Sequence, residues 1–252
     1  MAGPYPSRSV GLARALSKLG YCSRSRAFEL IRSGRIRVNG TIYRRPTALV
    51  RTDRDRIEVD GTELASAAKV YLVLNKLRGT VTTASDEKGR ETVYAALDRD
   101  LPWIAPVGRL DKASEGLLLL TNDSEWAARV LAPETHLDKT YHVQVTSVAP
   151  DLIDRITLGV IAGNGDQLRA KRASILRKGG KHAWLEIVLD EGKNRHIRRM
   201  LESLGIGVLR LVRVAIGGLR LGDLPKGACR PLTRTEKQSL DKEIERHGRR
   251  ST

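Results

Sequence analysis

In the segment VGRLDKASEGLLLLTND, residues 107–123, a single carboxylate, Asp111, stands in a turn between two apolar runs. A carboxylate at the mouth of such a strand–loop–strand unit can attack an electrophilic carbon or stabilise a developing cation. It can equally cap the turn by accepting backbone hydrogen bonds, and spacing alone does not separate the two roles. Glu115 and Asp123 are close in sequence, but Glu115 reads as solvated and Asp123 as the cap of a helix starting at Ser124. A glycosidase-type carboxylate pair is therefore disfavoured. Cys22 and Cys229 are far apart with no CxxC pair, which predicts two reduced structural thiols. His136, His142, His182, His196 and His247 form no HxxxH pair, so no metal site is expected.

The elements that must position Asp111 follow from periodicity. Leu12, Ala15, Leu16 and Leu19 recur at helical spacing up to Gly20. Ser23 caps a second helix with Ala27, Leu30 and Ile31 inward and Arg24, Arg26 and Arg32 outward, stopped by Gly34. Alternation then takes over at residues 35–38, and Asn39-Gly40 signals a hairpin before residues 41–43. Residues 56–59 with Asp60-Gly61 predict one more strand and turn. This unit of two helices and a small sheet spans residues 8–67.

Its segment LARALSKLGYCSRSRAFELIRSGRIRVNG resembles the alpha-L, or S4-type, RNA-binding motif. The resemblance makes Arg24, Arg26, Arg32, Arg35 and Arg37 candidate phosphate contacts, which position RNA without reading its sequence. The charge balance agrees: 45 Lys and Arg against 29 Asp and Glu give a formal net charge of +16, which favours a polyanionic partner. No apolar run approaches membrane-spanning length, so a membrane is not the expected partner. The start MAGPYPSRSV lacks the apolar core of a secretory signal, which predicts a cytoplasmic protein.

Residues 65–68 read as a small-residue linker into a second domain, residues 68–234. Its strand candidates are residues 70–74, 80–83, 116–120, 140–145, 184–189 and 208–214. Helices are predicted at residues 124–131, 151–158 and 196–204, which makes the class α+β. The last of these carries Ile197, Met200, Leu201 and Leu204 on one face, leaving Arg195, Arg198 and Arg199 displaced from it as further RNA-contact candidates. Residues 235–252 read as a charged tail, a terminal helix fraying into a flexible basic end.

Three separated segments carry a second resemblance: GRLDKASEGLLLLTND at residues 108–123, KTYHVQV at 139–145 and EGKNRHIRRML at 191–201. Together with LVLNKLRGTVTT and LRLVRVAIGGLRLGDLPKGACRPLT they are similar to the pseudouridine synthases. The match is to the ribosomal-RNA branch, akin to RsuA and RluB, in which an S4-type domain precedes the catalytic domain, and it runs from about residue 10 to residue 233. Leu77 departs from the pattern, standing where the family usually has proline.

The resemblance implies an S4-type domain followed by a catalytic domain with a mixed, mainly antiparallel sheet. It implies that Asp111 is the nucleophile that starts uridine isomerisation, with no cofactor. Tyr141 would lie against the uracil and act in or near proton removal from carbon 5. Lys193, more than Arg195, would supply the cation that keeps Asp111 ionised. Ile197 would pack beneath the tyrosine ring, and Arg109 would help hold the target nucleotide out of its stack. The C-terminal run points to 23S ribosomal RNA, with 16S ribosomal RNA as the nearest alternative and a noncatalytic rRNA-binding assembly factor as a third. Ribosomal RNA is the expected partner, with no obligatory protein partner and a monomeric state.

Overall fold

Short amphipathic pieces build the first of two compact units in the computed structural model, which describes residues 9–84, 86–98 and 100–248. This unit runs through Tyr71 and takes in residues 98–105 and 120–124. β1 (Val10–Gly11) leads into α1 (Leu12–Lys18). The expected cap starts α2 (Arg24–Arg32), where Ser23 accepts a hydrogen bond from the Arg26 amide at 3.1 Å. β2 (Ile36–Val38) turns through Asn39 and Gly40, both at positive φ, into β3 (Thr41–Tyr43). β4 (Leu49–Val50) pairs with β1, while β5 (Ile57–Val59) and β6 (Thr62–Glu63) complete a sheet of order β3-β2-β5-β6. The small core is Leu12, Leu16, Ala27, Ile31, Ile36 and Ile57, the faces set by the helical and alternating patterns.

The second unit is organised on one mixed sheet. Its strands are β7 (Tyr71–Lys76), β8 (Ala105–Pro106), β9 (Glu115–Thr121), β10 (Lys139–Val145) and, past a two-stranded excursion of β11 (Val160–Ile161) and β12 (Gln167–Leu168), β13 (Arg172–Lys178), β14 (Ala183–Leu189), β15 (Val208–Ile216), β16 (Leu219–Arg220) and β17 (Cys229–Pro231). The order is β13-β14-β10-β15-β9-β7-β17, with β16 on β15 and β8 on β9. The β9–β15 pairing is parallel, whereas β10 is antiparallel to both β14 and β15. β9, EGLLLLT, is buried at every position, as its unbroken apolar run requires.

Helices α3 (Ser124–Leu131), α4 (Leu152–Leu158) and α5 (His196–Glu202) are joined by a C-terminal α6 (Arg234–Gly248). Val143, Leu185, Ile187, Ile156, Met200 and Leu201 share the core beneath β10 and β14. Through residue 248 the C-terminal segment is a packed element. Leu240 is fully buried, and the Trp126 indole donates to Asp241 at 2.8 Å. Residues 249–252, where a fraying basic end was expected, lie outside the described residues.

Three sequence expectations are corrected. Residues 80–83 form no strand: Val81 makes one isolated bridge to Thr92, and the β-branched residues serve a loop. The apolar run at residues 107–110 is also not a strand. β8 ends at Pro106, and Gly108 turns the chain at φ +76 before Asp111. Glu115, expected to be solvated, is only 4% exposed and lies between Arg210 and Lys226. Burial alone would raise its pKa; the hydrogen bonds from those two cations outweigh that and hold the carboxylate lower than usual. Its partners are too distant in sequence for local patterning to reveal.

Candidate active site

Backbone anchoring defines the loop that carries Asp111. Five successive carbonyls accept hydrogen bonds from four residues. The Thr82 hydroxyl donates to Leu110 O at 2.7 Å, and Lys76 Nζ to Asp111 O at 3.3 Å. The Gly79 amide donates to Lys112 O at 2.8 Å, Arg198 Nη2 to Ala113 O at 3.0 Å, and Lys76 Nζ again to Ser114 O at 2.9 Å. With its carbonyls so occupied, the loop leaves the Asp111 side chain outward and exposed. The turn reading and the chemical reading coexist, because the Asp111 backbone closes a turn by accepting from the Ser114 amide at 2.9 Å.

Close approach of β9 and β15 sets the wall of the site. Gly116 has φ +102, and a Cβ there would meet Arg213 O at 2.3 Å. Glycine is therefore required for Gly116 and Arg213 to lie opposite each other. On β10, Tyr141 is in register with Ile187 of β14 and Arg213 of β15.

These elements enclose a cavity of about 660 Å³, within the roughly 300–1,000 Å³ usual for ligand pockets. Arg109, Asp111, Tyr141, Lys193, Arg195, Ile197 and Arg198 all line it. Ile197 is 4% exposed and shares a core cluster with Tyr141. Arg195, at φ +48, caps α5 and is exposed, as Arg109 is. Lys193 reaches the cavity, but its ammonium donates to Gln167 O at 2.9 Å and stands 3.5 Å from Glu191. The Asp111 charge acts on Lys76 and Arg198, favouring the protonated form of each against burial. Arg198 also donates to Val208 O at 3.3 Å, so it is an internal strut. Arg199 binds Asp166 and Asn164 and lies away from this cavity.

Lys76, Thr82 and Arg213 were not singled out from the sequence. Lys76 is 1% exposed, and burial drops its pKa to about 8 against the opposing pull of Asp111 and Glu115. Its signal was a lysine ending a largely apolar strand. Arg213 is 6% exposed on the face of β15 that also buries Leu211 and Ala215.

A larger hollow of about 1030 Å³ lies on the other side of the same sheet. It is lined by alternate residues of β10, Thr140 and His142, and contains none of the predicted site residues.

In the first unit, Arg35 is bound bidentately by Asp60 and Arg26 bonds Glu29 at 2.7 Å. Arg24, Arg32 and Arg37 are exposed and, among the described residues, are tied to no carboxylate. Arg24, Phe28 and Arg32 form a stripe at four-residue spacing on α2, with Phe28 39% exposed.

Residues 70–203 match the family model for RNA pseudouridylate synthase, and residues 10–55 match the S4 domain. The chain is 36% identical over 231 residues to ribosomal large subunit pseudouridine synthase B of Bacillus subtilis, covering 91% of this chain and 94% of that protein. It is 37% identical over 242 residues to an RNA pseudouridine synthase of Aquifex aeolicus, covering 93% and 95%. A crystal structure of a pseudouridylate synthase superposes with a TM-score of 0.65 at 27% identity, covering 92% of this chain and all of that one.

Proposed function

The chain belongs to the RNA pseudouridylate synthase family, and on that footing we propose that it isomerises a uridine of 23S ribosomal RNA to pseudouridine, with Asp111 as nucleophile. The observation that carries the site assignment is the cavity that gathers Asp111, Tyr141 and Lys193 from three distant segments. The B. subtilis relative's name specifies the large ribosomal subunit, and the similarity spans nearly the whole chain, which favours 23S over 16S RNA. A noncatalytic binding protein would need neither an outward carboxylate nor a loop pinned at five carbonyls.

In this reading the S4 unit binds RNA, with Arg24, Arg32 and Arg37 its freest phosphate contacts. Arg109 holds the extruded nucleotide over the cavity. Asp111 attacks, or stabilises the ribose cation, from a backbone that need not reorganise. Tyr141 lies against the uracil and serves proton removal from carbon 5. Lys193 reaches Asp111 by releasing Gln167, a motion its flexible stem allows. The reaction is redox-neutral, and these side chains supply its acid, base and nucleophile. We further propose that the protein works as a monomer in the cytoplasm. No helix among the described residues is long and apolar enough to cross a membrane.

The test is pseudouridine mapping of ribosomal RNA from cells with and without the gene, with rescue by wild-type and Asp111→Asn protein. One 23S site should be lost, and only wild type should restore it. Restoration by the Asn variant would remove Asp111 from the chemistry, and an unchanged map would remove the function.

A further inference from the structure

Among the described residues, six buried side-chain polar atoms lack a hydrogen-bond partner. Five of them belong to Ser114, His196, Arg198 and Arg213, all of which line the Asp111 cavity. Buried polar atoms are ordinarily satisfied within the protein, so their concentration around one cavity points to a polar occupant.

Arg213 is the most constrained of the four. Its Nε donates to Leu117 O at 2.7 Å, which fixes the guanidinium plane against β9. Its Nη2 is sealed from solvent and unpartnered, and no carboxylate pairs with it among the described residues. Arg213 is 6% exposed and lines the cavity, directly across the β10–β15 ladder from Tyr141. Lys139, two residues from Tyr141, lines the same cavity, and its pKa is lowered by burial and then by the charge of Arg213. The two cations therefore make a positive wall; Asp190 and Asp138 partly offset the charge of Lys139, whereas that of Arg213 meets no paired acid among the described residues. An unpaired buried charge is unfavourable until something answers it.

Uridine isomerisation supplies such a group. The C1′–N1 bond breaks with its electron pair on the base, so the detached uracil is an anion whose charge spreads over N1, O2 and O4. Reattachment forms the C5–C1′ bond, C5 then loses its proton, N1 gains one, and the atoms and electrons balance. We propose that Arg213 is a catalytic residue whose guanidinium hydrogen-bonds a carbonyl oxygen of the uracil and stabilises the base as it leaves the ribose. This rests on the function proposed above. Arg213 suits the task better than the exposed Arg109 or Arg195, because a donor fixed before the charge develops needs no reorganisation.

The experiment follows tritium release from a 23S rRNA transcript labelled with [5-³H]uridine. Arg213→Ala should lose roughly 100-fold in kcat, as oxyanion donors do, with KM little changed, and added methylguanidinium should restore part of the loss. Arg213→Lys should fall between the two. A guanidinium that merely clamps β9 to β15 would lower the melting temperature without rescue by the small cation. That result, or an unchanged kcat, overturns the assignment. If the alanine variant does not fold, wild-type protein decides on transcripts containing 2-thiouridine or 4-thiouridine, whose sulfur is a weaker acceptor. One of the two should react more slowly, and equal rates on all three transcripts overturn the proposal. Wild-type protein inactive on the uridine transcript and on RNA from cells lacking the gene would instead refute the function itself.

Discussion

Lys76 Nζ donates to the main-chain carbonyl of Asp111 at 3.3 Å, so a buried cation holds the backbone of the proposed nucleophile and makes no hydrogen bond to its carboxylate. The same ammonium donates to Leu77 O and Ser114 O, which uses all three of its protons.

A pH dependence follows from that arrangement. Burial brings the pKa of Lys76 from 10.5 to about 8. The unfolded chain therefore binds more protons between those values, and this group adds stability as pH rises through that window; below it the cost of the buried charge is fully present. Activity should move the other way, because a neutral amine loses one of three donors. Turnover by wild type should fall above pH of about 8, and Lys76→Met should be slower with that limb absent. An alkaline limb unchanged in the variant would assign it to another group.

Thr82 offers a milder lesion to the same loop. Its hydroxyl donates to Leu110 O at 2.7 Å and lies 3.4 Å from the Leu110 amide. Thr82→Val loses both contacts, and the shorter alone, worth about 1 kcal/mol, should cost at least about fivefold in kcat, with Thr82→Ser near wild type. Equal rates for all three proteins would show that the loop holds without this contact.

Gly116→Ala should be among the most damaging single changes. The new methyl meets Arg213 O at 2.3 Å at a φ of +102. Left-handed strain and overpacking together should cost about 3 kcal/mol or more, read as a large fall in melting temperature or loss of soluble protein. A variant that melts with wild type would mean that β9 and β15 separate freely.

The parts of this fold legible in the sequence are those whose cause is local. The Ser23 cap, the Asn39-Gly40 hairpin and the buried β9 run each follow from a few neighbouring residues, and each lies where the pattern put it. Residues 80–83 have strand-forming side chains, yet tertiary demand won, with Thr82 used as a hydrogen-bonding strut. β13, RASILRK, went unread because an exposed, basic edge strand carries little hydrophobic alternation. At the site, motif likeness identified side chains that face the cavity. It did not mark Lys76, and it cast Arg198 as an RNA contact, since both act on main-chain atoms, where sequence has no signature.

α6 predicts a stability effect far from the chemistry. Leu240 is fully buried, and Lys237 bonds Asp241 at 2.7 Å beside the Trp126 ring. Leu240→Ala should cost about 2–5 kcal/mol in denaturant unfolding. A change below 0.5 kcal/mol, about the level of an exposed substitution, would mean that the helix is dispensable.

RNA affinity should divide the arginines of the first unit. Arg32→Ala or Arg37→Ala should weaken binding of the rRNA transcript and reduce the salt slope by roughly one. Arg35→Ala should do less, because Asp60 already neutralises that guanidinium. A larger loss at Arg35 than at Arg32 would reverse this ordering.

The pinned Asp111 loop also sets a time at which the protein can begin to act. Three of its struts, Lys76, Gly79 and Thr82, precede it in the chain, but the Ala113 strut, Arg198, is synthesised much later. Contacts so far apart in sequence close late in folding. A nascent chain that has not yet delivered α5 carries its carboxylate on an unbraced loop. Competence thus waits until α5 has been made, and a product truncated before it would lack the brace even with Asp111 and Tyr141 intact.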